Sequence, residues 1–572
     1  MSATSIFVTS IGTTLYRENV YKFDERTWTT RFAPVATARL LSLAGARALV
    51  LATEAANAKW YEPLAQELVD AGLQPEPVII ADGRNEDEIV SIFSALQGCV
   101  PERTRVVLDV TYGLRHLPFV YLASLAYLVG LRQVEVAGIY YGALELRSEA
   151  NTVPIIDVTS LFQLLQWYHA LAAAREAGDW TQVATNLRAD VGRLFRRGIG
   201  DERLGRLQTP TERLAYALTT GLPIEAGLRA AELQEAISQL TPPVSGAIAP
   251  RLALGALGDQ LPNWIVQPKL PRKRDLVLTA DELWRQLRVA EWYLQHGEHE
   301  KALLVMRECL VSGRLLASGK TERWLDYGHR KPVEDLLSAV SERARSGVAT
   351  DCEKTVASLW DAIREKRNRF AHAGMIEDEV SASIQEIAVL LERCRALLAG
   401  NTLVGLLRSS GASLLITPVG LSPGVLYSGI ARVKPDRLLI VTSHDAAPRI
   451  PEALERAEAL RTPQQVLALD DAFLGYRQVD QYLGAEIDKA FVGADRVIVN
   501  VTGGTTVMQY AVERLAARAR RLGTPVRRCA LIDRRSPEEQ RAEPYVRGEI
   551  LWLDPDEPSP GRIATGVKVE TA

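Results

Sequence analysis

A chain of 572 residues is too long for one hydrophobic core and implies three or four domains. With 47% hydrophobic and 24% charged residues it excludes a fibrous or wholly disordered protein. A formal net charge of −3 excludes a globally basic nucleic-acid binder, so any RNA contact must rest on a local basic patch.

The five cysteines (Cys99, Cys309, Cys352, Cys394, Cys529) are scattered, odd in number and without CxxC spacing. That argues against a disulfide framework or a zinc site and fits a reducing cytoplasm. The N-terminus runs directly into a strand-like stretch without a signal pattern. The longest apolar run, about Phe119–Leu131, is too short and interrupted to span a bilayer. The expectation is a soluble cytoplasmic protein with no membrane association.

Residues 1–157 read as α/β. Short β-branched runs at Ser5–Ser10, Ala48–Ala52, Pro77–Ala81, Arg105–Val110 and Val134–Tyr141 alternate with helical stretches such as Trp60–Ala71, which implies a parallel sheet covered on both faces. Two strand ends are polar and glycine-bearing: Thr9-Ser-Ile-Gly-Thr-Thr14 and Asp109-Val-Thr-Tyr-Gly-Leu-Arg-His-Leu-Pro118. Ligands in such sheets sit beyond the carboxyl ends of strands, and helix-start amides favour anions. The hydroxyls with Arg115 and His116 suit a phosphodiester or nucleotide, although a tight turn with capping threonines explains either loop alone equally well. No GxGxxG is present, so no dinucleotide cofactor is indicated.

Residues 158–275 read as a helix, Leu161–Ala177, followed by an irregular connector punctuated by prolines at 210, 223, 242, 243, 250, 262, 268 and 271. Pro268-Lys-Leu-Pro-Arg-Lys-Arg274 reads as a solvated basic linker. Residues 276–400 are helical throughout, with Ala280–His296, Glu300–Ala317, Val333–Ser346, Cys352–Ala373 and Val380–Leu398 predicted to pack as an antiparallel bundle. Residues 401–572 return to α/β, with strands at Ser413–Thr417, Arg437–Thr442, Val466–Leu469, Arg496–Val501, Arg528–Ile532 and Glu549–Leu553. Again two strand ends are small and polar, Thr417-Pro-Val-Gly-Leu-Ser-Pro-Gly424 and Asn500-Val-Thr-Gly-Gly-Thr-Thr506, the second leading into a helix at Val507–Arg521. The parallel placement in the two α/β regions reads as a distant internal repeat flanking the helices.

Near the end of the penultimate bundle helix, Val356, Leu359, Trp360, Ile363 and Phe370 form one apolar stripe, on which Arg367 falls where an apolar residue is expected. Arg364, Asn368 and His372 form a polar row at steps of four. His is the side chain whose proton is mobile near neutral pH. A snorkelling arginine and an ordinary helix-end histidine account for periodicity alone.

The segment Arg367-Asn-Arg-Phe-Ala-His372 resembles the R-N-x-x-x-H motif of HEPN ribonucleases. The flanking regions resemble CARF domains, the Rossmann-like cyclic-oligoadenylate sensors of type III CRISPR antiviral defence. The Asp109–Pro118 stretch looks like D-x-T-H-G-x-R-x-x-P, with Tyr112 where His is common, and Asn500–Thr505 looks like N-x-T-G-G-T. The resemblance implies two CARF-like domains (1–157 and 401–572), a connector (158–275) and a HEPN bundle (276–400). It implies a metal-independent endoribonuclease that cleaves single-stranded RNA, with cyclic oligoadenylate as allosteric activator, no cofactor and no stable DNA binding. Arg367, Asn368 and His372 are then catalytic, and Arg364, Lys366 and Arg369 hold the RNA backbone. Ligand contacts fall to Ser10, Gly12, Thr13, Thr14, Thr111, Gly113, Arg115 and His116 in the first sensor. In the second they fall to Gly420, Thr502, Gly503, Gly504, Thr505 and Thr506. Two motif copies complete one site in this family, so a homodimer is expected, with the apolar stripe as its face and Arg367 turned to the partner. Like domains pairing across the dimer and unlike domains pairing within a chain both stay open. The rival reading is a cyclic-oligoadenylate-binding regulator or ring nuclease that uses the bundle as a dimerisation scaffold.

Overall fold

In chain order the first elements are β1 (Ser5–Ile11), β2 (Asn19–Phe23), β3 (Arg26–Thr30), α1 (Ala33–Leu40), β4 (Arg47–Ala52), α2 (Glu54–Asp70), β5 (Gln74–Ile79), α3 (Glu86–Cys99), β6 (Arg105–Asp109), α4 (Leu117–Arg132), β7 (Glu135–Gly142) and β8 (Thr152–Asp157). The computed structural model describes residues 5–148, 152–196, 198–240, 248–259, 261–267, 270, 272–371, 375, 384–400, 402–406 and 412–554. The eight strands form one sheet in the order β3-β2-β8-β7-β6-β1-β4-β5. Strands β5, β4, β1, β6 and β7 are parallel, and β8 runs antiparallel to β7. Strand β1 shows why both faces are covered. Ile6 and Val8 pack with Leu96, Leu125 and Leu128 of α3 and α4, while Phe7 packs with Val35, Leu64 and Leu68 of α1 and α2.

Helices α5 (Thr159–Glu176), α6 (Thr181–Arg196), α7 (Glu202–Thr219), α8 (Pro223–Ser238) and α9 (Ile248–Gly258) follow. This corrects the expectation of an irregular connector. Pro223 opens α8 and Pro250 lies in the first turn of α9, where a missing N–H costs no helical bond, while Pro210 is accommodated inside α7. By compactness, residues 1–215 with 233–260 form one unit, and residues 216–232 with 261–572 form another.

The second unit carries α10 (Ala280–Gln295), α11 (His299–Ala317), α12 (Tyr327–Arg345), α13 (Asp351–Ala371) and α14 (Ile384–Ala399), matching the helices expected there within a few residues. Helix α13 packs on α11, α12 and α14. Its start is a capping box: Thr350 Oγ1 accepts from Glu353 N at 3.2 Å and Glu353 Oε2 from Thr350 N at 2.8 Å. Glu353 also pairs with Arg343 of α12 at 3.2 Å, with both side chains buried.

Then come β9 (Ala412–Val419), α15 (Gly424–Val433), β10 (Arg437–Ser443), α16 (Ile450–Arg456), β11 (Gln464–Leu469), α17 (Tyr476–Tyr482), α18 (Ala485–Phe491), β12 (Ala494–Asn500), α19 (Thr506–Arg521), β13 (Val526–Ile532), α20 (Pro537–Ala542) and β14 (Glu549–Trp552). The second sheet has the order β11-β10-β9-β12-β13-β14, parallel except for β14. The order β5-β4-β1-β6-β7-β8 in the first sheet is the same, strand for strand, antiparallel edge included. The hairpin β2–β3 is an addition to the first copy. In each sheet the chain reverses its direction of winding beside the first strand, between β1 and β6 and between β9 and β12. The small-residue loops lie at these switch points. Among the described residues no helix is long and apolar enough to cross a membrane.

Candidate functional site

At the first switch point Asp109 closes β6 and is fully buried. Thr37 Oγ1 donates to its Oδ2 at 2.9 Å, Thr111 Oγ1 to the same oxygen at 3.2 Å, Thr111 N to Oδ1 at 3.1 Å and Thr9 Oγ1 to Oδ1 at 3.4 Å. Burial nevertheless pushes the carboxyl up to about 6, with the four hydrogen bonds partly offsetting it. Thr111 Oγ1 also accepts from Gly142 N at 2.8 Å, so its hydroxyl ties β6 to β7. Ser10 Oγ is buried and donates to Tyr112 O at 2.5 Å. Tyr112 points inward: its hydroxyl meets that of Tyr21 at 3.2 Å and accepts from Ala33 N at 3.1 Å. Tyr112 is therefore part of the core. His116 Nε2 lies 2.9 Å from Asp82 O. Gly12 N donates to Tyr16 Oη at 2.8 Å, and Lys59 Nζ donates to Thr13 O at 2.8 Å. The polar side chains left at the surface of this loop pair are Thr13, Thr14 and Arg115, beside exposed Leu114 and Gly113 at φ +110°.

The second switch point repeats this wiring. Asn500 closes β12; its Oδ1 accepts from Thr502 N at 2.9 Å and its Nδ2 donates to Thr417 Oγ1 at 2.9 Å. Thr502 Oγ1 accepts from Leu531 N at 2.9 Å. The strand registers make the match exact in position. Asp109 lies opposite Tyr140 as Asn500 lies opposite Cys529, and Gly142 and Leu531 each follow two residues later. Thr9 and Thr417, Gly12 and Gly420, Thr111 and Thr502, and Gly113 and Gly504 thus hold equivalent places. The signal was present in the sequence as Asp-Val-Thr-Tyr-Gly against Asn-Val-Thr-Gly-Gly. Gly503 and Gly504 have φ of +93° and +69°, and a Cβ on Gly420 would lie 3.2 Å from Gly504 Cα. Thr505 caps α19, accepting from Met508 N at 3.5 Å, and its hydroxyl donates to Ala472 O. Thr506 is exposed at the first turn of α19. The amides there and the exposed threonine suit an anionic group.

The third cluster lies at the end of α13. Val356, Leu359, Trp360 and Ile363 are buried within the chain's own bundle. The stripe therefore does not form a partner-facing surface, and the expectation that it is the dimer face is corrected. Bundle packing already buries it, at about 1.5–3 kcal/mol of stabilisation per side chain. Trp360 stacks under the Arg307 guanidinium of α11 at 5.1 Å. Arg367 and Phe370 continue the stripe but are only half-buried. Arg367 Nε is buried and has no hydrogen-bond partner among the described residues. Asn368 is half-buried one residue on; His372 lies outside the described residues. The cations expected to hold RNA are ion-paired: Arg364 with Asp361 at 3.1 Å, Arg369 with Glu365 at 2.8 Å, and Lys366 with Glu386. The fold adds one side chain that sequence reasoning missed. His299 at the start of α11 stands 6.5 Å from Phe370, ring to ring, and its buried Nε2 has no hydrogen-bond partner among the described residues. Nothing local signals it, because it lies some seventy positions earlier in the chain. Among the described residues no group of three His, Cys, Asp or Glu side chains is placed to hold a metal ion.

No protein-family model matches the chain. It is 28% identical over 96 residues to CRISPR-associated protein MJ1674 of Methanocaldococcus jannaschii, a match covering 16% of this chain and 15% of the relative's length. Among solved structures, one titled as a type III CRISPR defence DNA nuclease activated by cyclic oligoadenylate aligns with 92% of this chain and 65% of its own. The identity there is 12% and the TM-score 0.17.

Proposed function

We propose that this protein is a CRISPR-associated, cyclic-oligoadenylate-activated endoribonuclease of the CARF–HEPN kind, with sensors at 1–157 and 401–572 and the nuclease in the 276–400 bundle. The observation that carries the reading is Arg367. It is a guanidinium on an otherwise apolar stripe, with a buried Nε lacking any hydrogen-bond partner among the described residues, inside R-N-x-x-x-H. A guanidinium so placed can serve a ligand of matching charge with forked donors. The partial match to a CRISPR-associated protein and the two nucleotide-suited switch loops support the same reading.

The chemistry follows from the groups. The RNA 2′-hydroxyl attacks the adjacent phosphorus, the P–O5′ bond breaks, and a 2′,3′-cyclic phosphate and a 5′-hydroxyl result. His372 moves the proton, as its type suits near neutral pH. Arg367 holds the charge gathering on the equatorial oxygens with forked donors, and Asn368 orients phosphate or imidazole. Arg364, Lys366 and Arg369 exchange carboxylate partners for phosphates, positioning the strand without reading its sequence. Two copies of the α13 end complete the site in a homodimer.

The test is cleavage of a fluorescent single-stranded RNA in EDTA with cyclic tri-, tetra- or hexa-adenylate. Activity is expected with one of these rings and is lost, by about 100-fold or more, in His372→Ala and Arg367→Ala. Cleavage that needs no ring, or that survives His372→Ala, refutes the mechanism. Consumption of the ring without RNA cleavage identifies a ring nuclease instead.

A further inference from the structure

Helix α19 has the small-residue loop at one end and a guanidinium clamp at the other. Its N-cap is Thr505, and its last turn carries Arg518, Arg520 and Arg521. Between them Val507, Met508, Ala511, Val512, Leu515, Ala516 and Ala519 are buried, so the helix is held as a rigid rod against its sheet.

Every nitrogen of the Arg518 guanidinium is used. Nε and Nη2 grip the two oxygens of wholly buried Asp488 at 2.8 and 2.6 Å. Nη1 donates to Glu342 Oε1 at 2.5 Å and Nη2 to Ser346 Oγ at 2.7 Å, both at the C-terminal end of α12. Arg521 reaches the same Glu342 oxygen at 3.4 Å. Two cations at the last turn of α12 meet the negative end of its dipole. The Asp488 carboxylate, more than any other neighbour, raises the affinity of Arg518 for its proton.

The chain of contacts continues across α12 to the nuclease helix. Glu342 lies 3.7 Å from Arg345, and Arg345 pairs with Asp361 of α13 at 2.9 Å. Ser341 Oγ donates to the same Asp361 oxygen at 2.5 Å. Asp361 pairs with Arg364, one turn before Arg367. An exposed ion pair is worth little; the Arg518–Asp488 pair is shielded at 14% and 0% exposed, whereas Arg345 and Arg364 further along are 52% and 40% exposed. A buried charge pair costs desolvation that an apolar contact would avoid, and its return is a fixed geometry.

We propose that Arg518 is the positioning residue that transmits the state of the Asn500–Thr506 loop to the Arg367–Asn368 helix end, through Glu342, Ser346 and Asp361. The proposal rests on the nuclease reading above and makes the second sheet the controlling sensor. A ligand that shifts the N-terminus of α19 moves the rod and its clamp together. The clamp in turn biases α12 and the Asp361–Arg364 pair.

The test is the double variant Glu342→Ala/Ser346→Ala, which leaves the Arg518–Asp488 pair in place. Cyclic-oligoadenylate binding is expected to match the wild type, and neither protein is expected to cleave RNA without the ring. Stimulated cleavage is expected to fall by about tenfold, within the usual span of coupling between two sites. Stimulation retained at the wild-type level overturns the proposal. In ligand-free protein, hydrogen exchange of residues 361–371 is expected to rise in the double variant; unchanged exchange there overturns the coupling whatever the nuclease assay shows. Wild-type protein that cleaves no RNA with any of the three rings overturns the nuclease reading and leaves the exchange result to decide the coupling.

Discussion

Asp109 and Asn500 perform one structural task with different charges. Each closes the strand beside the switch point, accepts from the amide two residues on, and bonds the threonine of the neighbouring first strand. The ionised form of Asp109 is the disfavoured one. Its folded pKa of about 6 lies above the ordinary 3.8, so the folded state holds the proton more tightly. The sign follows: this group costs no stability below about pH 4, and stability is lost as pH rises toward 6, by on the order of 3 kcal/mol at about 1.4 kcal/mol per unit. Asp109→Asn copies the solution used at Asn500. It is expected to flatten the thermal-unfolding midpoint between about pH 4 and 7 and to be no less stable than wild type at pH 7. Asp109→Ala leaves Thr111 N without its acceptor and is expected to cost about 1–3 kcal/mol. Equal destabilisation by the two substitutions would contradict this account. The sequence showed both residues as candidate loop members, but not that the Ser10 and Thr111 hydroxyls donate inside the fold or that the Thr502 hydroxyl accepts from Leu531 N. Which donors stay available depends on strand neighbours that are distant in sequence.

Helix α13 was legible in outline because its apolar period of 3.6 is regular. The role of its stripe was not, since periodicity says that a face is buried and not against what. Tertiary packing sets α13 against α11, α12 and α14 and leaves the half-buried Arg367 at the helix end. The helix start is pinned by Glu353 to buried Arg343. Glu353→Ala strands that guanidinium and is expected to cost about 3–5 kcal/mol, read as a lower urea midpoint with an unchanged slope. A loss below 1 kcal/mol, the worth of an exposed pair, would show the pairing to be weak. Strands β2, β3 and β8 were missed, the edge strand β3 for a related reason. Strand β3 (Arg26–Thr30) is exposed at every position but the last and carries no apolar run. Helices α8 and α9 were obscured by prolines whose first-turn positions are helix-compatible only once the boundaries are known, and α7 by Pro210 in its interior.

At the scale of the whole chain, the proposed composite site requires two copies. Sedimentation velocity is expected to give twice the chain mass, and cleavage per chain is expected to fall on dilution below the dimer's dissociation constant. A monomer that cleaves RNA at full rate would remove the dimer from the mechanism. The sequence by itself determined the alternation of sheet, helices and sheet, the four loops that end their strands in small polar residues, and the R-N-x-x-x-H segment. These depend on local period, turn chemistry and residue type, all of which are written along the chain. Only the tertiary structure decided that the two sheets share one strand order, that Thr9, Asp109 and Gly142 find counterparts in Thr417, Asn500 and Leu531, and that Arg518 grips the end of α12. Strand order and buried polar pairing are set by which distant segments exclude water together, and no local pattern encodes that choice.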